Sequence, residues 1–296
     1  MQVMESKTRV AIRNILLATD FSPESEAALQ YAEAVARRFD SKIFVTHVIQ
    51  PSEDIYVPGG AGLVTFETLK ADARKELDHL DKRLEKFPHE TILLRGETPN
   101  VLRDLAATVQ ADLLVLGTHG RSGIRRLVMG SVAEEVFRQA PCAVLTVGPK
   151  VTTDAPREID FQHILYATDF SPESIAASAF ALSLAQEFQA QLTFLNVVKL
   201  PLEPMESEQA IINDRERKLQ ALLPKDVDLW CKPTVMVMFG ETGKIITNVA
   251  KELHADLIVL GVRGAGGSLG AATHIAHAAA HDVVSHAKCP VLTVRG

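Results

Sequence analysis

Aromatic side chains are scarce in this chain. Phe, Tyr and Trp together make up 5% of its 296 residues, with a single Trp. Its cores must therefore be built from Val, Leu, Ile and Ala. A basic excess is also lacking: 31 Lys and Arg face 37 Asp and Glu, a formal net charge of −6. That leaves no basic footprint and argues against nucleic acid as the main partner. No apolar run approaches the roughly 20 residues of a membrane helix, and the opening MQVMESKTRVAIRN has no apolar core of a signal peptide. A membrane is not expected as a partner. Cysteine is limited to Cys142, Cys231 and Cys289, an odd number without a CxxC pair. A disulfide scaffold is not expected, and a reducing cytoplasm is. What remains is ordinary globular material, 47% hydrophobic and 23% charged, with room for about two domains.

The chain repeats itself. ATDFSPES occurs at Ala18 to Ser25 and again at Ala167 to Ser174. ADLLVLG (Ala111 to Gly117) is answered by ADLIVLG (Ala255 to Gly261), and APCAVLTV (Ala140 to Val147) by AKCPVLTV (Ala287 to Val294). The order is the same in both halves, so the chain reads as two copies of one unit. The expected domains are 1–148 and 161–296, joined by a polar linker at 149–160 with Pro149 and Pro156 and no apolar periodicity.

Within the first copy, apolar runs near Asn14 to Ala18, Lys42 to Val48, Glu90 to Leu94, Asp112 to Leu116 and Ala143 to Val147 read as strands. Runs such as DLLVL do not alternate, as expected of parallel strands covered by helices on both faces. Amphipathic stretches separate them. Ser22 suits a helix cap, Pro23 the first helical position, and Glu24 the positive end of the dipole. Pro51 to Gly62 reads as a loop ahead of a long charged helix. The fold class expected is α/β, two tandem open doubly wound sheets of five parallel strands each.

Ligands of such sheets bind beyond the carboxyl ends of the strands, where strand order reverses. Asp20 ends the first strand there. Its carboxylate suits a ribose hydroxyl or an exocyclic amine, and equally a role in capping the following helix. The second constellation is GTHGRSGIRRLVMGSVAEEVF, Gly117 to Phe137. Gly117 and Gly120 frame two residues, and nine more precede Gly130-Ser131. Glycines permit positive φ and close backbone approach, and the amides and dipole of a helix beginning near Ser131 favour phosphate. Arg121, Arg125 and Arg126 lie in the same loop. The pattern is neither a Walker loop, since no Gly-Lys-Ser/Thr follows, nor the dinucleotide fingerprint, which belongs after a first strand.

With TDFS ending a strand, ADLLVLG, and Gly-x2-Gly-x9-Gly-Ser, the chain resembles the universal stress protein family in its tandem two-domain form, over essentially its whole length. The resemblance implies a Rossmann-like, adenine nucleotide alpha-hydrolase-like fold and a role in stress response as a nucleotide-responsive regulatory or interaction protein. It also implies ATP, with Mg²⁺, in the first half. Ala18, Thr19 and Asp20 would hold the adenosine end, and Val48 would lie against adenine. Gly117, Gly120, Arg121, Gly130, Ser131 and Val132 would wrap the ribose and phosphates. Final strands pair two units in resembling proteins, which implies an internal pseudo-dimer of the halves and leaves a homodimer open. Competing readings are a slow Mg-dependent ATPase and a nucleotide-free interaction module.

The second half departs from the pattern. Asp169, Val197, Gly261 and Gly264 are present, but nine residues past Gly264 stand His274 and Ile275. Aligning back from Cys289 puts His277 and Ala278 there instead. Either way the Gly-Ser pair is lost, and one nucleotide site per chain is expected. Gly266, Gly267 and Gly270 leave another anion nest as a minor reading. His274, His277 and His281 share a face of any helix there, with no HExxH; a solvated or packed face is expected rather than a metal. No catalytic residue is assigned: GxSxG is absent, and the cysteines before each last strand read as packing.

Overall fold

The computed structural model of the chain describes residues 10–51, 55–56, 63–64, 66–118, 130–151, 159–200, 207–227, 230–262 and 271–295. The chain divides into two units. One is Ile12–Val147; the other is Gly148–Gly296 with the segment before Ile12. Val10 belongs to the latter, its N–H donating to Ser183 Oγ at 2.8 Å. Among the described residues no helix is long and apolar enough to cross a membrane.

The first half runs β1 (Asn14–Ala18), α1 (Pro23–Phe39), β2 (Lys42–Ile49), β3 (Ile55–Tyr56), β4 (Leu63–Val64), α2 (Phe66–Arg83), β5 (His89–Arg95), α3 (Thr98–Thr108), β6 (Leu113–Gly117), α4 (Ser131–Gln139) and β7 (Ala143–Val147). Its long strands are parallel and lie in the order β7-β6-β1-β2-β5. Ile15, Leu16 and Leu17 of central β1 are fully buried, which is why that run does not alternate. The strands match their expected positions to within a residue at each end. One addition is β3, antiparallel to β4 with Ile55 opposite Val64. It lies in the stretch read as a loop, where β-branched and aromatic residues favour pairing.

The second half repeats the plan with β8 (His163–Ala167), α5 (Pro172–Phe188), β9 (Gln191–Val198), α6 (Glu208–Ala221), β10 (Thr234–Phe239), α7 (Thr242–Glu252), β11 (Leu257–Val262), α8 (Ala271–His286) and β12 (Val291–Arg295). Its order is β10-β9-β8-β11-β12, again parallel. In each half the chain starts at the centre, builds outward to one side, then crosses to the other. The order therefore reverses between β1 and β6, and between β8 and β11. Both halves are doubly wound, as expected.

The aspartate of each ADL run fastens the entry of the central strand. Asp112 Oδ2 accepts from the N–H groups of Arg13 and Asn14 at 2.7 and 3.0 Å. Asp256 Oδ2 does the same for Gln162 and His163, both at 2.9 Å. These carboxylates sit at the amino ends of the strands, away from the carboxyl edge where the switch points open.

Candidate functional site

The repeated octapeptide is a closed hydrogen-bonded turn. Phe21 has φ 62° and Phe170 φ 63°, a left-handed conformation that is a true outlier for a bulky residue. Such backbone persists where its surroundings over-determine it, and here they do. Phe21 N–H donates to Thr19 Oγ1 at 3.0 Å, and the N–H and hydroxyl of Ser22 donate to Asp20 Oδ1 at 3.1 and 2.6 Å. Ser22 Oγ in turn accepts from Ser25 N–H at 3.2 Å and caps α1. The second half repeats these bonds through Thr168, Asp169, Ser171 and Ser174. Burial pushes the Asp169 carboxyl up, but hydrogen bonds from Ser171 and Ser174 outweigh it and hold the group below the usual carboxylate range.

Asp20 thus does not cap α1 itself but holds the cap residue, Ser22, and the turn places a partly exposed carboxylate at the carboxyl end of β1, beside the switch point. A residue the sequence reading missed supports the turn from β2. His47 Nδ1 lies 2.8 Å from Thr19 O, so it carries the proton and donates. Its ring packs on Phe21 with centroids 4.5 Å apart. In the second half Asn196 Nδ2 donates to Thr168 O at 2.7 Å. An imidazole and an amide do one job, and laying the two halves side by side reveals the exchange.

Across the switch point, β6 ends at Gly117 and α4 begins at Ser131. Thr118 N–H donates to Val147 O at 3.0 Å, and Gly130 N–H donates to Thr118 O at 2.9 Å. The two ends of the loop are thereby pinched together. Gly130 has φ −62° and ψ 151°, so positive φ is not its reason for being glycine. A Cβ there would stand 2.8 Å from Thr118 O. Gly117 lies close under α1: a Cβ there would stand 3.0 Å from the Glu24 carbonyl. Ser131 is exposed and Val132 half-buried on the first turn of α4; Val48 is buried near the end of β2. Ala18, Thr19, Asp20, Val48, Gly117, Gly130, Ser131 and Val132 thus share the carboxyl end of one sheet. Gly120 and Arg121 lie outside the described residues, as do Arg125 and Arg126.

The corresponding end of the second sheet holds a cavity of about 350 Å³ whose lining includes Thr168, Asp169, Asn196, Val197, Arg215 and Gly261. Gly264, Gly266, Gly267 and Gly270 lie outside the described residues, as do the side chains of His274 and His277. Among the described residues no group of three His, Cys, Asp or Glu side chains is placed to hold a metal. Burial, reinforced by Asp256, pushes the Cys289 thiol up to about 12.

The Universal stress protein family model matches residues 11–148 and again 160–295. A universal stress protein of Methanocaldococcus jannaschii is 33% identical over 138 residues, 46% of this chain and 81% of that protein. Universal stress protein A homolog 1 of Coxiella burnetii is 32% identical over 143 residues, covering 47% of this chain and 97% of its own length. Among solved structures, a universal stress protein from Archaeoglobus fulgidus matches with a TM-score of 0.70 at 18% identity, covering 97% of this chain and 99% of that one. At that identity the likeness concerns the fold.

Proposed function

This chain belongs to the universal stress protein family, and from that premise we propose that its first half binds ATP and that the bound nucleotide regulates the protein. The observation carrying the reading is the position of Asp20 at the end of β1 and of Gly117, Gly130 and Ser131, the described ends of the glycine loop, at the end of β6 and the start of α4. Asp20 Oδ1 is engaged by Ser22, yet a carboxylate has about four acceptor positions, enough for ribose hydroxyls. A hydrogen bond to such a charged group contributes roughly 1.5–3 kcal/mol, about ten- to a hundredfold in affinity. Ala18, Thr19 and Val48 border the adenosine end.

The phosphates take the start of α4, where free amides and the helix dipole favour anions. Gly130, with no Cβ to strike Thr118 O, lets the loop close onto the start of α4. Ser131 adds a hydroxyl, Val132 an amide, and Gly120 and Arg121 belong to the loop between. Mg²⁺, entering with the nucleotide, would neutralise part of the phosphate charge. Binding to the native state alone stabilises it by RT ln(1 + [L]/Kd), which lets ATP concentration set the protein's shape or its affinity for a partner.

Isothermal titration of the full chain with Mg-ATP tests this. Wild type should bind, Asp20→Ala should bind about ten- to a hundredfold more weakly, and Gly130→Val should give no heat. No response from the wild type sinks the reading.

A further inference from the structure

The cavity of the second half presents charges of both signs. At about 350 Å³ it falls at the small end of the range for ligand pockets, and it opens at the β8/β11 switch. Val197, Ile246 and Leu260 give it apolar walls. Asn196, on the same lining, is 3% exposed. Its Nδ2 is spent on Thr168 O, while its Oδ1 is buried without a hydrogen-bond partner among the described residues. A buried acceptor left unmatched is costly, and a donor on a ligand would relieve it. Asp169 lies on the same lining and is exposed. Its Oδ1 accepts from Ser171 N–H at 3.0 Å, with acceptor positions to spare. Burial opposes its charge, but hydrogen bonds from Ser171 and Ser174 prevail and keep it ionised at neutral pH.

Two cations line the same space, Arg215 of α6 and Lys199 just past β9. Neither forms an ion pair among the described residues; the Arg215 guanidinium lies 5.6 Å from the ring centroid of Phe170, the residue next to Asp169. A plain anion would answer the cations but face the Asp169 carboxylate, and a plain amine would answer Asp169 but face the cations. A ligand carrying both charges meets both. The described lining residues include no aromatic ring, so a base would find no stacking partner among them, whereas the aliphatic walls gain from covering an aliphatic chain. We propose that this cavity binds a free α-amino acid with an aliphatic side chain, of which leucine is the type. Its ammonium group donates to Asp169 and to Asn196 Oδ1, and its carboxylate accepts from Arg215 and Lys199. Its side chain lies against Val197, Ile246 and Leu260. An ammonium has three donors, enough for the carboxylate and the amide oxygen together. The site stands independently of ATP in the first half.

The test is an amide-resolved NMR titration of the ¹⁵N-labelled full chain with L-leucine. Two analogues run in parallel: N-acetyl-leucine, which lacks the ammonium, and leucinamide, which lacks the carboxylate. Leucine should give saturable shifts at Thr168, Asp169, Asn196, Val197 and Gly261, and either analogue should bind about tenfold or more weakly. Arg215→Gln, at a half-buried helix position, should weaken leucine by a like factor, with Lys199→Gln as the second variant should the first fail to fold. Second-half amides that stay still, or that move without saturating, overturn the proposal. So does an analogue that binds as tightly as leucine, or a folded variant that binds leucine as tightly as wild type. If AMP moves these amides and leucine does not, the cavity takes a nucleotide and the proposal falls. Failure of the ATP reading shows separately, as no shift at Gly117 or Ser131 when Mg-ATP is added.

Discussion

Gly261 approaches the first turn of α5 so closely that a Cβ would stand 2.2 Å from Ser174 Cα and 2.4 Å from Glu173 O. Both are backbone atoms, so the helix itself would have to move. Gly261→Ala should lower the urea midpoint by the equivalent of about 1–3 kcal/mol, the range for overpacking. Gly117→Ala, whose nearest contacts are at 3.0 Å, should lose less. Equal losses would mean the contact distance is not what matters. The cysteines divide in the same local way. Cys231 and Cys289 are buried and Cys142 is half-buried; the thiolate is the reactive form, and the Cys289 thiol is held at about 12. Native protein treated with a thiol reagent at mildly alkaline pH should be modified at Cys142 first, with Cys231 and Cys289 reacting only after denaturation. Mass mapping of the labelled peptides decides it.

At the scale of the element, the strand entrances and helix starts carry the polar work. Ser22 and Ser171 cap α1 and α5, and replacing either with Ala should cost about 1 kcal/mol, read from denaturant unfolding. His163 at the start of β8 carries a pH dependence. Its Nδ1 donates to Leu253 O at 3.1 Å and its Nε2 accepts from Thr193 Oγ1 at 2.9 Å. Burial lowers its pKa below the ordinary 6.5, against the opposing pull of the Leu253 carbonyl and Asp256. The unfolded chain then binds the proton first as pH falls. The contribution is full above 6.5 and is lost on descending through the folded-state value. His163→Asn, borrowing the residue found at Asn14, should remove this component. Wild type should lose stability relative to the variant as pH drops below 6.5, measured by urea unfolding across pH. Parallel curves would refute the assignment.

For the whole molecule, duplication has produced two switch points with different surroundings. The first combines Asp20 with a loop whose ends are pinched at Gly130; the second pairs Asp169 with Asn196, Arg215 and a cavity open to solvent. Mg-ATP at a hundred times its Kd should stabilise the protein by about 2.7 kcal/mol, visible as a raised unfolding midpoint. Gly130→Val should show no such rise. The repeat, the alternation of strand and helix, and the position of Asp20 were all legible because each rests on local pattern. The apolar run of a doubly covered strand and the Ser-Pro-Glu of a helix start need no distant partner to be recognised. His47, Asn196 and Arg215 carried no motif. Their importance comes from elements far apart in the chain, β2 against the β1 turn and α6 beside β9.

The sequence by itself determined the family resemblance, the two-fold repetition, the parallel doubly wound plan and the placement of Asp20 at the end of its first strand. The repetition and the doubly wound plan follow from periodicity, capping chemistry and spacing, which act over a few residues at a time; the family came from the resemblance of the TDFS, ADLLVLG and Gly-x2-Gly-x9-Gly-Ser motifs. Only the tertiary structure decided what the shared letters are for. The octapeptide is a strained turn held by its own side chains, the Asp of each ADL run is a strand clip, and Gly117, Gly130 and Gly261 answer neighbouring backbone rather than positive φ. It alone also brought an amide oxygen unmatched among the described residues, that of Asn196, and two cations around one cavity in the second half. Close approach and charge balance depend on which elements meet, and that is settled when the sheets assemble.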